Sequence, residues 1–476
     1  MLQKDDIQLV LERARRGGAD FAELFLEDRE DTVISYDGGL NELSTMRIFG
    51  AGIHLLAGTG SVYVCTSDTS LPTVQQALEK ALSFLAANRE TVQAHNVFPG
   101  SLSAKTACTG RLESISNPCP VHISPGTITH TRKIAIIRQA DAAASAFTSA
   151  LQRIRIDYFD RDQRVRIINT LGTDVEDRRV TTRLRFIPLV ANDQTAVSWF
   201  TDYSTPAGYE ALLEGQYLPT LTGTLRTMEE TLYAEEAVGG RYPVILERGN
   251  STGTFFHEAC GHQLETTELR RGGLFLDRLN TPIASERGTL GDDGTLPGAY
   301  GSSRYDDEGI PRQRNVLIDR GILTGFLTDR LGARILGLEL TGSGRRQDYS
   351  FAPGARMSNT FLTPGDDDDE RIISDTEEGL YVTEIGGGTG GPEFTLYARS
   401  AFRIRNGTID RRVRGAMLTG RGDETMLKID QVGQKTYPTP GEGSFCGADS
   451  GFCPVTAFGP RIRISDMLVG AKGGGS

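Results

Sequence analysis

Two histidines and a glutamate stand close together in the segment 257–262, which reads His-Glu-Ala-Cys-Gly-His. Imidazole is a good zinc ligand, and a carboxylate beside the metal can take a proton from bound water. The pattern therefore indicates metal-dependent hydrolysis, with His257 and His262 as candidate ligands and Glu258 as the candidate base. The alternative interpretation is a pair of ordinary histidines on a helix surface, and the local sequence alone leaves both open.

The spacing of the two histidines is unusual for a metal site on a helix. In the familiar arrangement the second histidine comes four residues after the first, on the same helical face. Here it comes five residues later, which is about 140° around a regular helix, so the two rings could not face one metal. We therefore expect the helix to break or bulge at 260–262, where Gly261 makes a distortion easiest.

A catalytic zinc site needs a third protein ligand, with water as the fourth. The other four histidines lie in the N-terminal half of the chain, which makes thiolates the alternative. Cys260 lies inside the motif and is expected to point into the core. Cys446 and Cys453 lie in a Gly-rich, loop-like stretch that could approach a metal. Either could instead be a small buried hydrophobic residue, so the residues alone do not select the ligand.

The segments that must position these residues predict an α+β fold. Helical spacing of apolar residues predicts helices at 5–17, 73–87, 127–149 and 207–237. Alternating patterns predict strands at 21–26, 32–36, 47–56, 61–65, 153–160, 165–171, 181–189 and 196–201. From Gly240 onward glycine is frequent, and the predicted strands are 243–246, 315–318, 325–328, 380–384, 401–405 and 461–464. The prediction is mixed and antiparallel sheets with flanking helices: an N-terminal α/β region followed by a Gly-rich, sheet-dominated C-terminal domain.

The length of 476 residues is sufficient for two or three domains. The change in composition predicts an N-terminal domain, 1–237, and a C-terminal domain, 238–476. The first could consist of two subdomains, 1–90 and 125–237, joined by a linker rich in Ser, Thr, Pro and Gly. The acidic run 366–369 is expected to be a solvated loop, with a metal site as the less favoured alternative.

The net charge of −11 and the pI near 5.2 limit the possible partners. Nucleic acid and anionic membranes both require a basic surface, so neither is expected. The N-terminal residues lack the apolar core of a signal peptide, and no run approaches the ~20 apolar residues that span a bilayer. Six cysteines in a chain of this length do not indicate a disulfide scaffold. We expect a cytoplasmic enzyme.

Several ordered motifs resemble the TldD branch of the TldD/PmbA metallopeptidase family. In chain order they are 257–265, 292–297, 306–311, 316–325, 344–346, 356–360, and a Cys-Gly dipeptide followed by 464–470. The resemblance covers most of residues 240–470 and, more loosely, the N-terminal half. It implies a zinc peptidase for unfolded or small peptides, with one zinc per chain held by two motif histidines and a C-terminal cysteine.

The resemblance also implies roles for individual residues. The Cys-Gly dipeptide of the family matches Cys446-Gly447, which selects Cys446 over Cys453 as the ligand beside His257 and His262. Glu258 matches the catalytic glutamate, a general base toward water and then a proton donor to the leaving amine. Glu265 could orient His262, or could equally be a surface glutamate.

The family further implies a partner, because the metal-bearing subunit often pairs with a metal-free TldE (PmbA) relative around a cavity. Peptides are thought to be held there by strand addition, and a homodimer is the other possible assembly. Two rival functions fit the motifs: a catalytically silent subunit for assembly or peptide binding, and a zinc hydrolase acting on a non-peptide amide. The segment 389–395, directly after three glycines, departs from the family pattern, and if it lines the substrate groove a different specificity is expected.

Overall fold

The structure is a computed structural model that describes residues 2–87, 117–436 and 441–471. Its α-helices in these ranges are α1 (Lys4–Arg16), α2 (Leu71–Ala87), α3 (His130–Phe147), α4 (Leu218–Leu232), α5 (Asn250–Ala259), α6 (Thr266–Leu269), α7 (Arg330–Leu336), α8 (Asp369–Ser374) and α9 (Gly422–Thr425). Short 3-10 helices cover Pro125–Thr127, Tyr209–Gly215, Gly261–Leu264 and Met426–Lys428. No helix in the described ranges is long and apolar enough to cross a membrane.

A seven-stranded antiparallel sheet organises the N-terminal half. Its strands are β1 (Phe21–Asp37), β2 (Leu40–Ala57), β3 (Gly60–Thr66), β4 (Leu151–Asn169), β5 (Asp174–Ala191), β6 (Ala196–Ser198) and β7 (Thr201–Thr205). The order is β3-β2-β1-β4-β5-β6, with β7 also paired to β5. Helices α1 and α2 cover one part of it and α3 and α4 another, each with its own apolar core. One sheet therefore takes strands from both proposed subdomains. Residues 88–116, most of the proposed linker, lie outside the described residues, and the domain boundaries stay predictions.

Strand β1 is one long strand, although the sequence predicts two, at 21–26 and 32–36. The intervening residues are mostly charged, and such residues are typical of turns and surfaces. In the sheet their charges have partners across the strands: Asp31 accepts from Arg161 at 2.9 Å, and Glu27 accepts from Gln163 at 2.8 Å. Because these cross-strand partners compensate the charges, the strand continues through them.

Three further sheets form the C-terminal half. The six-stranded sheet has the order β12 (Ile322–Leu323), β11 (Arg314–Asp319), β10 (Leu290–Asp293), β15 (Asn359–Leu362), β22 (Gly451–Phe458) and β21 (Ser444–Ala448). A two-stranded sheet pairs β13 (Gly344–Arg345) with β14 (Gly354–Ala355). The eight-stranded sheet contains β8 (Glu235–Glu236), β9 (Gly240–Leu246), β16 (Glu378–Thr389), β17 (Glu393–Arg405), β18 (Thr408–Arg414), β19 (Ala416–Arg421), β20 (Ile429–Val432) and β23 (Ile462–Ala471). The predicted α+β class with mixed and antiparallel sheets is confirmed.

Three local predictions differ from the structure. The strand predicted at 325–328 is wrong: only Leu327 forms a bridge, to Glu265, because this segment pairs with the residues after the histidine motif. The helix predicted at 207–237 is interrupted before α4, where Glu214 has the left-handed φ of 63°. The acidic run is not simply a solvated loop, since Asp368 caps α8 by accepting two backbone N–H bonds.

Helix α5 lies between two C-terminal sheets. On one side Gly253 touches β22, and a Cβ atom there would lie 2.1 Å from the carbonyl carbon of Ala457. On the other side Phe255 meets the ring of Phe394 on β17, edge to face, with centroids 5.6 Å apart. The helix that carries the histidine motif is therefore fixed by sheets on both sides.

A fully buried ion pair joins the N-terminal sheet to the C-terminal half. Nη2 of Arg346 lies 2.6 Å from Oε1 of Glu23, and neither side chain has exposed surface. The same guanidinium donates to the carbonyl of Asp307 at 2.7 Å and lies over the ring of Phe25. Because separating a buried ion pair leaves an uncompensated charge in the interior, this contact should fix how the N-terminal and C-terminal halves pack against each other.

Replacing Arg346 with methionine is expected to destabilise the protein by about 3–5 kcal/mol, because Glu23 stays buried without its counter-charge. Chemical denaturation followed by fluorescence measures the loss. The control is Arg13→Met, which removes an ion pair with Glu79 that is about half exposed on both sides, and it should leave the denaturation midpoint nearly unchanged. Equal midpoints for the two variants would contradict the prediction.

Candidate metal centre

Helix α5 ends between the two histidines. Its last residue is Ala259, Cys260 has a non-helical φ of −139°, and a 3-10 turn begins at Gly261. The predicted break at 260–262 is confirmed, but the distortion falls on Cys260. Gly261 has a different role, because a Cβ atom there would lie 2.2 Å from Sδ of Met357. Its lack of a side chain permits close packing.

The break brings the two imidazoles and a cysteine together. The rings of His257 and His262 are 4.8 Å apart, and Nε2 of His262 lies 3.3 Å from Sγ of Cys446. The candidate ligand atoms of the three residues all lie within 4.8 Å of one another. Across the described ranges, this is the one group of three or more His, Cys, Asp and Glu residues that could hold a metal ion.

The donor set fits zinc. Tetrahedral zinc with nitrogen and sulfur ligands keeps its ligand atoms about 3.3–3.6 Å apart, so the His262–Cys446 distance already fits, and the widest separation would shorten by about 1 Å on binding. His257 is buried, and its Nδ1 has no hydrogen-bond partner among the described residues. A buried polar atom without a partner is unusual in a protein interior, and it indicates a ring held for a ligand.

Cys446 lies on a β-hairpin, not in the loop that the sequence predicts. It stands on β21, the last strand of its sheet, directly opposite Cys453 on β22. Cys446 is partly exposed, whereas Cys453 is 1% exposed and lies outside the group of three candidate ligands. Cys260 is fully buried, as expected, and burial raises the pKa of its thiol to about 12.

The charges of the site favour a thiolate at Cys446. Burial alone would raise the pKa of this thiol, but the imidazoles of His257 and His262 lower it to about 4. Burial also opposes a charge on His262, yet Glu265 and Cys446 outweigh it and raise the pKa of that ring well above its usual value. Since the thiolate is the form that binds metals, the protein's own charges prepare this ligand.

Glu265 is a buried partner of His262, so its interpretation as a surface glutamate is wrong. One carboxylate oxygen lies 3.2 Å from Nδ1 of His262, and the other accepts the backbone N–H of Met357 at 2.9 Å. Burial raises the pKa of Glu265, but His262 and Arg356 reverse that effect and lower it. Because Nδ1 of His262 is occupied, Nε2 is the atom that faces Cys446.

Arg356 holds the hairpin that carries Cys446, and the sequence did not identify this role. Its guanidinium donates to the carbonyl of Cys446 at 2.6 Å and to that of Gly451 at 2.9 Å. It also lies 3.9 Å from Glu265, so one buried cation connects both ligand segments. The motif 356–360 marked Arg356 as a residue of interest, but the sequence does not show which residues its side chain contacts.

The candidate ligands lie in the wall of a cavity of about 1020 Å³. Both halves of the chain line it, with Phe200 and Gly223 contributed by the N-terminal half. Glu258 is half-buried and reaches the same cavity. Within the described ranges no hydrogen bond engages its carboxylate, so no protein group competes with a molecule bound in the cavity for its oxygens.

The chain matches family profiles along most of its length. The PmbA/TldA metallopeptidase domain 1 matches residues 22–85, the central domain matches 123–238, and the C-terminal domain matches 239–471. The Metalloprotease TldD homolog of Haemophilus influenzae is 29% identical over 95% of this chain and 93% of its own. The Zinc metalloprotease TldD homolog of Saccharolobus solfataricus is 32% identical over 48% of this chain and 52% of its own.

Solved structures share the fold. TldE from Thermococcus kodakarensis matches with a TM-score of 0.72 at 16% identity, covering 98% of this chain and 99% of its own. With matches to all three family domains in order, and with a relative aligned over nearly the full length, the chain belongs to the TldD/PmbA metallopeptidase family, in its TldD-like branch.

Proposed function

We propose that this chain is a zinc-dependent peptidase that hydrolyses unfolded or small peptides, with one zinc held by His257, His262 and Cys446. The observation that carries the proposal is the convergence of these three ligand atoms within 4.8 Å on the wall of a large cavity. When bound, zinc would polarise the scissile carbonyl and lower the pKa of a water molecule toward neutrality.

Glu258 acts as the general base in this proposal. It directly follows His257, lines the same cavity, and has no hydrogen bond to its carboxylate from the described residues. It accepts a proton from the attacking water and returns it to the leaving amine. Glu265 fixes the orientation of His262, so that Nε2 faces the site while the ring stays in place.

An extended peptide is the substrate that suits the site. Strand β21, which carries Cys446, is the outermost strand of its sheet in the described structure. Its outer edge offers backbone donors and acceptors beside the ligands, and pairing through the backbone ignores side-chain identity. Substrates would then be selected by their lack of structure. The fold shared with TldE supports assembly with a TldE/PmbA-like partner, with a homodimer as the alternative.

The metal ligands can be tested by zinc content. Purified protein should contain about one zinc per chain, measured by mass spectrometry of the metal, and His257→Ala should lose it. Cys446→Ala should also lose zinc, whereas Cys453→Ala should keep it. The two cysteines are well matched because they are directly paired on neighbouring strands. The reverse result would assign the ligand to Cys453.

The base can be tested by separating metal binding from turnover. Glu258→Gln should keep its zinc but lose about 10²–10⁴-fold in kcat, because glutamine cannot accept the proton. Cleavage of an unfolded peptide is followed by mass spectrometry, with and without a TldE-like protein from the same source. Cleavage by the variant at the wild-type rate would exclude the mechanism. A zinc-loaded wild type that cleaves no peptide would favour the silent subunit or the non-peptide hydrolase.

The orienting role of Glu265 predicts a loss of zinc affinity. Glu265→Gln should weaken zinc binding about 10–100-fold, because the His262 ring loses its charged partner. Competition with a chromophoric chelator measures the affinity. The matched control is Glu268→Gln. It removes the partly exposed ion pair between Glu268 on α6 and Arg271, and it should leave the zinc affinity unchanged. Equal affinities for both variants would show that Glu265 does not support the ligand.

A further inference from the structure

The turn between β16 and β17, residues 390–392, lies against the end of α5. Its glycine Gly390 is so close to Glu258 that a Cβ atom there would lie 2.6 Å from the carboxylate Oε2, 2.7 Å from the carbonyl oxygen and 3.1 Å from Cα. The last two atoms belong to the backbone of α5, which is held between two sheets and cannot easily retreat. The close approach therefore requires a residue without a side chain.

Independent contacts hold this turn in place. The carbonyl of Pro392 accepts the backbone N–H of Gly422 at 3.2 Å, and Gly422 in turn touches α5, since a Cβ atom there would lie 1.9 Å from the carbonyl oxygen of Ala259. The ring of Phe394, just after the turn, packs on Phe255 of the same helix. The turn is thus attached to the helix next to Glu258.

The other end of the segment is held by Arg399. Its Nη2 donates to the carbonyl of Gly386 at 2.9 Å, where the pairing of β16 with β17 shifts register between Ile385 and Gly388. Such a bulge bends a strand locally, and bulges commonly re-aim residues beside active sites. The bent hairpin lies against Glu258. Among the described residues, none forms a hydrogen bond with the Glu258 carboxylate.

We infer that Gly390 is a positioning residue for Glu258: the bare backbone of the turn rests on the carboxylate and limits its orientations to those facing the cavity. This inference rests on the proposed role of Glu258 as the base. Because Glu258 has no hydrogen bond to hold it among the described residues, packing is the remaining means of fixing its direction. A methyl group at residue 390 would push the turn away or turn the carboxylate aside.

The test compares two neighbouring glycines. Gly390→Ala should lower kcat for peptide cleavage about 10–100-fold with KM changed less than about twofold, since a small misplacement of a reacting group has effects of this size. Gly391→Ala is the matched control, because its Cβ atom would meet nothing nearer than the carbonyl of Glu393 at 3.4 Å. Neither glycine has a left-handed backbone, so alanine at either position adds no backbone strain, and the two variants differ in what the new methyl group meets. Equal kcat values for both variants would overturn the inference.

Zinc content should match the wild type in both variants, and a thermal midpoint well above the assay temperature shows that each variant is folded during the measurement. The inference also requires coupling between the two residues. In a Glu258→Asp background the shorter carboxylate retracts from the turn, so Gly390→Ala should then change the remaining kcat less than about threefold. A full and independent loss in the double variant would overturn the positioning role while leaving the proposed peptidase function intact.

A second measurement does not depend on turnover. In the wild type, a carbodiimide should couple an amine to Glu258 and to Glu268, another half-buried glutamate of the same cavity, and the ratio of the two rates reports how far the Glu258 carboxylate faces the cavity. Gly390→Ala should lower this ratio several-fold, because the carboxylate is turned aside, and Gly391→Ala should leave it unchanged, as judged by peptide mass spectrometry. An unchanged ratio in Gly390→Ala would overturn the inference even if no peptide is cleaved.

Discussion

The candidate metal centre depends on the buried guanidinium of Arg356. His262 and Cys446 are 184 residues apart in the chain, so no local structure holds them together. Arg356 binds the carbonyl of Cys446 on one side and faces Glu265 on the other. A buried cation is costly unless an opposite charge and hydrogen-bond acceptors lie beside it, so the hairpin carbonyls and the Glu265 carboxylate must both be in place around Arg356. The same requirement brings the thiol to the imidazoles.

The charges around the site alternate in sign along this connection. The Arg356 cation faces the Glu265 carboxylate, the carboxylate faces the His262 ring, and the ring faces the Cys446 thiol. Each group stabilises the charged form of its neighbour, which is why the pKa of Glu265 is lowered although the residue is buried. A ligand set arranged in this way is formed by folding itself. Zinc would then bind groups that already have the orientation and the charge it needs.

Helix geometry alone predicted the break between His257 and His262. Contacts between residues distant in the chain could not be predicted from the sequence. The five-residue spacing of His257 and His262 requires a broken helix, and the break is present. The choice between Cys446 and Cys453 could not follow from pattern, because directly paired residues of a hairpin share one face of the sheet. The burial of Glu265 could not be predicted from the sequence either, because its contacts are with Met357 and Arg356, about ninety residues away in the chain. The single long strand β1 was missed for the same reason, because its charges find their partners on other strands.

The glycines around α5 have a role that the glycine content alone did not predict, which is close packing of backbone against the helix. Frequent glycine in the C-terminal half predicts turns and short strands, and many glycines do stand in turns. Three others, however, lie at contacts between α5 and its surroundings: Gly253 on the helix itself meets β22, Gly422 meets the carbonyl of Ala259, and Gly390 meets Glu258. A helix surrounded by backbone at such short distances has little freedom to tilt or slide. Packing alone can therefore direct the carboxylate of Glu258 near the end of this helix, which its proposed role as a base requires because no described residue forms a hydrogen bond with it.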